Sequence, residues 1–489
     1  MVRVRFAPSP TGLLHVGGLR TALYNYLFAR HHGGKMILRV EDTDQTRFVE
    51  GAEKNIEDMF AWTGLSFDEG PGVGGEYGPY RQSERTELYR DHAQILIDRG
   101  TAYYAFDTAE EITKMRERQQ AAGIAPKYDR TSMRNQFTIG DDETKRLIDS
   151  GSEYVIRLFV PLTGETRTRD MIRGESTFGN RTIDDQILMK SDGFPTYHLA
   201  NIVDDHMMEI THVIRGEEWL PSLPKHVILY DAFGWEKPEF AHLPLLLSPE
   251  RKKLSKRDGE SWVQDYFEKG YQPEALVNFV ALLGWNPTAD REIFTMEEMT
   301  AMFDMAKVNK AGAIFDLQKL DWMNGMYLRQ LPVAGLAEQA MPLLADAGFA
   351  SVEKSYVEKV IELIKERIHF VNDIPRFADY MFGPVREFDE EYAVKHWKPE
   401  SAAQMNDLAT RLDALSTADW THEKIDAVVR AFAEELSMSA GKLIHPMRLT
   451  ITGKKVGAGM FETMEVLGKE ESIGRMRSYQ SSRLARDPS

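Results

Sequence analysis

A chain of 489 residues has room for about three or four domains, and with 42% of those residues hydrophobic it can build several cores. It has no cysteine, which excludes disulfides, thiolate metal sites and cysteine nucleophiles, and no apolar run approaches the ~18 residues of a membrane helix, so a soluble cytoplasmic protein is expected. A formal net charge of −16 argues against a chain coated in nucleic acid but leaves room for local contacts, since residues 441–489 carry nine Lys and Arg against five Asp and Glu.

The first strand is predicted at residues 2–6, where Val2, Val4 and Phe6 alternate with Arg3 and Arg5. Ala7-Pro8-Ser9-Pro10-Thr11-Gly12 breaks the ladder, because its two prolines lack an N–H and Gly12 invites positive φ. After Gly17-Gly18 the period turns helical through Leu19, Leu23, Tyr26, Leu27 and Arg30. Strand, glycine-rich turn and helix together aim backbone amides at a phosphate. The turn matches neither G-x-G-x-x-G nor G-x-x-x-x-G-K-[ST], so neither a dinucleotide fold nor a P-loop is indicated. It offers instead His15, whose imidazole can donate to a phosphate oxygen, and Gly17, which lets a flat ring or ribose approach the backbone. A helix-capping turn with a surface histidine fits the same residues.

A second buried strand is expected at residues 36–40, ending in Glu41-Asp42-Thr43-Asp44. Ligands gather at the carboxyl ends of strands in open α/β sheets, so this cluster should lie near Arg5 and His15. Its alternate acids suit either a divalent cation or a helix cap before Arg47. Residues 70–78 hold five glycines and a proline and form a loop, after which Tyr80-Arg81-Gln82-Ser83-Glu84-Arg85 opens a helix whose arginines solvate its face or serve RNA phosphates. From about Ala105 charge rises and periodicity weakens, with a polar helix at 110–118 and strands through 155–160, read as an insertion. The core resumes near Lys190. Residues 195–201 begin a helix with Tyr197 and Asn201 on one face, and Asp204-Asp205-His206 is expected to be solvated or capping rather than metal-binding. The strand His212-Val213-Ile214-Arg215 then delivers a second arginine to a strand end, before Glu217-Glu218-Trp219.

Arg251-Lys252-Lys253-Leu254-Ser255-Lys256-Arg257 packs five cations into seven residues and ends in the turn pair Asp258-Gly259. Beyond it the chain is helical. Val357, Val360, Ile361, Ile364 and Ile368 form one apolar stripe, and Ile425, Val428, Val429, Phe432 and Leu436 form another after the cap candidates Asp419 and Thr421. Both stripes are expected to pack a core, leaving function to Lys365, Arg367, Lys442, Arg448 and Lys454-Lys455.

His15-Val16-Gly17-Gly18, with Lys253-Leu254-Ser255-Lys256-Arg257 about 240 residues later, resembles the paired HIGH and KMSKS signatures of class I aminoacyl-tRNA synthetases. The words R-F-A-P-S-P-T-G, V-E-D-T-D, G-P-Y-R-Q-S-E-R, K-S-D-G-F-P-T-Y-H-L-A-N-I-V-D-D-H and V-I-R-G-E-E-W resemble bacterial glutamyl enzymes over essentially the whole chain. The first signature lacks its second histidine and the second carries Leu254 in place of Met.

The resemblance implies an α/β, Rossmann-type nucleotide-binding domain at 1–104 and 190–258 with a connective insertion at 105–189 for the tRNA acceptor end. A connecting helical module at 259–332 and an all-helical anticodon-binding region at 333–489 follow. It implies ATP-dependent activation of L-glutamate to glutamyl-adenylate and transfer to tRNA-Glu. Arg5, Ser9, Glu41, Tyr197, Asn201 and Arg215 are implied for glutamate, with Glu41 on its α-amino group. Ala7, His15, Gly17, Gly18, Glu218, Leu246, Lys253, Ser255 and Lys256 are implied for ATP, with His15, Lys253 and Lys256 catalytic. Arg367 and Arg448 would read the anticodon. Two guanidinium forks, Arg5 and Arg215, suit a side-chain carboxylate held bidentately, whereas glutamine would turn an NH₂ donor toward donor-only groups. Mg²⁺ is expected as the nucleotide's companion. No structural zinc is expected, because members that carry zinc in the insertion use cysteines. A monomer without a membrane partner is expected. Four alternatives stay open: a glutaminyl enzyme, an enzyme that also charges tRNA-Gln, a short relative that charges a modified nucleoside in tRNA, and a catalytically inactive tRNA-binding regulator.

Overall fold

The computed structural model describes residues 1–47, 49–254 and 261–484. Two compact units emerge, one formed by residues 1–268 and 273–317, the other by 269–272 and 318 onward, so the stretch 259–332 divides between them.

The first unit is α/β. Strand β1 (Arg3–Phe6) leads through helix α1 (Val16–His31) to β2 (Lys35–Leu38), which runs parallel to β1 with Arg3 opposite Lys35 and Phe6 opposite Leu38. Helices α2 (Ala52–Thr63) and α3 (Thr86–Asp98) follow. The second strand is shorter than its apolar run, and Val40 retains only an isolated bridge to Arg81. All four residues of β1 are buried. A half-solvated strand would turn its arginines to water; here Arg3 forks onto Glu69 at 2.8 and 3.2 Å, and Arg5 reaches Asp205 of a later helix.

The inserted stretch holds β3 (Ala102–Ala105), α4 (Ala109–Ala121), α5 (Gln136–Ile139), α6 (Asp141–Asp149) and β4 (Val155–Leu158). It continues with the hairpin β5 (Glu165–Asp170) and β6 (Gly174–Gly179), then β7 (Ile187–Met189). Strand β4 is the centre of an antiparallel sheet ordered β3-β4-β7. Helix α4 is polar, as expected, and starts where Thr108 and Glu111 satisfy each other's backbone amides.

The chain returns through α7 (Tyr197–Met207) to β8 (His212–Gly216), α8 (Leu223–Phe233) and β9 (Glu239–Leu243). Strands β8 and β9 are parallel, with Arg215 opposite His242. β8 lies beside β1: the Thr211 amide donates to the Arg3 carbonyl at 2.9 Å. The carboxyl ends of β1, β2 and β8 therefore open on one edge, which is where a ligand is received in such sheets. Beneath that edge Tyr89, Leu96, Leu199, Ile202, Val203 and Leu229 are fully enclosed, each apolar side chain contributing about 1.5–3 kcal/mol relative to exposure.

Among its described residues the second unit's regular elements are all helices, and two of its cores are large. One gathers Leu336, Leu344, Val357, Val360, Ile361 and Ile364, the other Leu408, Leu412, Ile425, Val429, Phe432 and Leu443. The first stripe is buried along its whole length. The second loses its last member: the helix His422–Glu435, capped by Thr421, ends before Leu436, which is 39% exposed.

Candidate active site

A cleft of about 290 Å³ opens at the strand edge of the first unit. Its walls come from the turn after β1, the entrance of α1, Glu41 after β2, the first turn of α7 and the end of β8. Arg5, Ala7, Ser9, His15, Gly17, Gly18, Glu41, Tyr197, Asn201, Arg215 and Glu218 all line it. His15 is the N-cap of α1, its Nδ1 accepting the Gly17 amide at 3.0 Å. A neutral ring that accepts at Nδ1 carries its proton on Nε2, so the donor expected for a phosphate is present as the second nitrogen. At Gly18 a Cβ would come within 3.2 Å of Leu14 Cδ1, so the Leu14 side chain would have to give by a few tenths of an ångström.

The floor of the cleft is a buried charge network. Arg5 donates to both oxygens of Asp205 at 2.9 and 3.3 Å and to Asn201 at 3.2 Å. Arg39 donates to Asp205 at 2.7 Å, Glu41 at 3.1 Å and Asn201 at 3.1 Å. Asp204 takes Arg85, Gln82 and Tyr89 at 2.8, 2.9 and 2.8 Å. Asp204 and Asp205 are therefore neither solvated nor capping. They lie on the inner face of α7, where an unpaired carboxylate would cost several kcal/mol, and the guanidiniums make their ionised form tolerable. Arg85, expected to solvate its helix, is likewise drawn inward. Burial opposes the Asp205 charge, yet Arg5 and Arg39 outweigh it and its pKa is lowered. At Glu41 burial prevails over Arg39 and Arg5, and its pKa is raised.

Arg215 differs from the rest. It is 5% exposed, and its partners are neutral: His242 Nε2 at 3.0 Å, the Tyr197 hydroxyl, and His226 Nδ1 at 3.3 Å. Among the described residues no carboxylate pairs with it. Arg5, Arg39 and Arg85 are paired with Glu41, Asp204 and Asp205, whereas Arg215 touches its nearest anion, Asp170, only through His242. Burial and the adjacent guanidinium push the His226 pKa well below its ordinary value.

The basic loop is tethered at both ends. Before it, the strand Leu246–Leu247 receives the chain back, with the Leu254 amide on the Leu246 carbonyl at 2.9 Å and Lys253 bridged to Leu247. After it, Val16 donates to the Ser261 carbonyl and Val263 to that of Leu14, both at 2.9 Å, and Trp262 sets its ring edge-on to His15. Lys253 is exposed at the near end and does not line the cleft, nor does buried Leu246. Ser255 and Lys256 lie outside the described residues.

Comparison with known proteins places this geometry in a family. Residues 1–322 match the catalytic domain of class I tRNA synthetases of the E and Q type, and residues 335–480 match an anticodon binding domain. The glutamate–tRNA ligase of Chlorobaculum parvum is 46% identical over 97% of both chains, and that of Cytophaga hutchinsonii 47% identical over 97% of this chain and 96% of its own. The chain belongs to the glutamate–tRNA ligases of the class I family. The crystal structure of the glutamate tRNA ligase of Elizabethkingia meningosepticum, in complex with its amino acid, superposes with a TM-score of 0.92 at 43% identity, covering 98% of this chain and 99% of that one.

In this ligase the two residues expected at the anticodon sit differently in the helical unit. Arg367 closes a 3₁₀ turn, Lys365–Arg367, and is exposed. Arg448 is half-buried in the helix Gly441–Thr452, with Nη2 on the Ala458 carbonyl at 2.9 Å, so part of its guanidinium holds a loop. Arg39 and Asp205 beneath the ligase's cleft and Trp219 in its lining were not singled out from the sequence. Trp219 packs against Tyr197 with ring centroids 4.4 Å apart and the planes tilted by 35°. An aromatic next to a strand-end arginine was the available signal for it; the acids offered none, because their partners are up to 200 residues away.

Proposed function

We propose that Arg215 receives the side-chain carboxylate of L-glutamate in this cleft, with the Nη1 end of Arg5 beside it. The single observation that carries this is a buried guanidinium at the cleft whose direct partners are all neutral acceptors. The side-chain carboxylate of glutamate supplies the direct anionic partner that Arg215 lacks. Glutamine brings none and turns an amide NH₂ toward donors, which such a site rejects strongly. Glu41 takes the α-ammonium, while Tyr197, Asn201 and Ser9 fix the rest of the amino acid.

ATP then lies over Ala7, Gly17 and Gly18 with its phosphates toward His15, Glu218 and Leu246 flanking it, and Lys253, Ser255 and Lys256 on the loop. An oxygen of the glutamate α-carboxylate attacks the α-phosphorus, and pyrophosphate leaves with the bonding electrons. A hydroxyl of the terminal ribose of tRNA-Glu next attacks the acyl carbon and AMP departs. No protein nucleophile is needed, because positioning and charge stabilisation supply most of the rate. Among the described residues no three His, Asp or Glu side chains could together hold a metal ion. That fits a Mg²⁺ carried mainly on the nucleotide's own oxygens, where it would offset phosphate charge. Arg367 and Arg448 face the anticodon loop, where guanidiniums stack on and hydrogen-bond to unpaired bases. Aminoacylation with labelled glutamate and labelled glutamine, each against tRNA-Glu and tRNA-Gln, tests the reading. Charging by glutamate alone is expected, and equal charging by glutamine would overturn it.

A further inference from the structure

Behind Arg215, outside the cleft wall, stand two groups that neither substrate would touch. His242 is fully buried on β9, and Asp170 is the buried last residue of β5 in the inserted hairpin. Asp170 Oδ2 lies 2.6 Å from His242 Nδ1, and His242 Nε2 accepts from Arg215 Nε at 3.0 Å. Asp170 Oδ1 is held by the amides of Ile172 and Arg173 at 2.9 and 2.8 Å. The hairpin itself docks on β9, where the Met171 amide donates to the Phe240 carbonyl at 2.7 Å.

The donor inventory fixes the protons. An ionised carboxylate only accepts, so His242 must carry hydrogen on Nδ1, and a neutral ring then presents a lone pair at Nε2. That lone pair is what Arg215 Nε–H requires. In the other tautomer, or in the imidazolium, Nε2–H would face Nε–H. Burial first, then the Arg215 charge, lowers the His242 pKa despite the pull of Asp170, while the hydrogen bond from His242 and the turn amides hold Asp170 ionised against burial. The remaining contacts follow from the same orientation. Nη1 donates to Tyr197 and Nη2 to His226 Nδ1, so three of the five guanidinium N–H bonds are engaged. Two remain, one on each terminal nitrogen, which is the complement a carboxylate takes bidentately.

We infer that Asp170 is a positioning residue for the amino-acid side chain, acting through His242 to aim the two spare N–H bonds of Arg215 into the cleft. The inference rests on the reading of Arg215 as the carboxylate receptor. It also ties the inserted hairpin to amino-acid selection, a role separate from holding the acceptor end.

Asp170→Asn tests it. The amide keeps an oxygen for the Ile172 and Arg173 amides but presents NH₂ to His242 Nδ1, which favours the wrong tautomer. The KM for glutamate should rise about ten- to hundredfold, with kcat at saturating glutamate and the KM for ATP within a few-fold of wild type. His242→Gln, which retains an acceptor opposite Arg215 Nε, should lose less than His242→Ala. Nitrogen NMR of ¹⁵N-histidine-labelled wild type, assigned with His242→Gln, should show His242 neutral with its proton on Nδ1 at pH 7. An Nε2–H or protonated His242 would overturn the inference without any variant. So would a wild-type glutamate KM in Asp170→Asn, or an equal rise for glutamate and ATP. If Arg215→Ala leaves glutamate binding intact, the parent reading fails instead.

Discussion

Replacing Arg215 by alanine is the most direct perturbation of the proposed site. The guanidinium is almost wholly enclosed, so solvent screens its interaction with a bound carboxylate little. Truncating one partner of such a hydrogen-bonded charge pair costs roughly 2–5 kcal/mol, which at about 1.4 kcal/mol per decade is a thirtyfold to several-thousandfold loss. Part of that loss is structural, because His242 Nε2, His226 Nδ1 and the Tyr197 hydroxyl each lose a donor at about 1 kcal/mol apiece. Glutamate titrations of aminoacylation at saturating ATP and tRNA separate the two, provided thermal unfolding of the variant is recorded alongside. The glutamate KM should rise by that factor while the KM for ATP stays within a few-fold. Arg215→Lys should fall between, since it keeps a charge but loses the fork. A glutamate KM equal to wild type in Arg215→Ala would refute the electrostatic argument at its root, because the buried guanidinium would then contribute nothing to holding the carboxylate.

Asp205→Ala leaves Arg5 and Arg39 buried without their shared acid, and a loss of about 3–5 kcal/mol in unfolding free energy is expected; a urea midpoint near wild type would contradict the network. His198, His226 and His242 all have pKa values lowered by burial and nearby cations, His198 to about 4. In the unfolded chain each binds a proton near pH 6.5, so between roughly 6.5 and 4 the unfolded state holds more protons and stability falls as the pH drops. Denaturation midpoints at pH 8, 6.5 and 5 should therefore decline below 6.5, and a flat profile would mean that these rings are charged in the fold. Arg367→Ala should change discrimination between tRNA-Glu and tRNA-Gln with the KM for ATP unaltered, whereas uniform loss toward every tRNA would mark a phosphate contact. Lys256→Ala should slow adenylate formation about a hundred- to thousandfold if its cation stabilises the departing pyrophosphate as proposed, as stopped-flow activation would measure. An equal slowing of transfer from preformed adenylate would exclude that role.

Much of the cleft was legible because its elements are local. The alternation at residues 2–6, the turn at 7–12 and the helical period after Gly18 fixed a strand, a loop and a helix that occur as β1, its turn and α1. The four-residue spacing of Tyr197 and Asn201 placed both on one face of α7, and both line the cleft. The stripe from Val357 to Ile364 likewise gave a helix and its buried side. The amino-acid sequence by itself therefore determined the elements, the faces they bury and the motifs at the strand ends, because these depend on neighbours within a few positions. Only the tertiary structure decided which charges meet. Asp204 and Asp205 read as a polar run on a helix, yet Asp205 neutralises Arg5 from 200 positions away and Asp204 holds Arg85 from 119. Asp170 reaches Arg215 through His242, 72 positions along the chain. A carboxylate in water needs no particular partner, so nothing in the local pattern names one. Removal from water makes the choice of partner worth several kcal/mol, and which groups are removed together is settled by the packing of the whole fold.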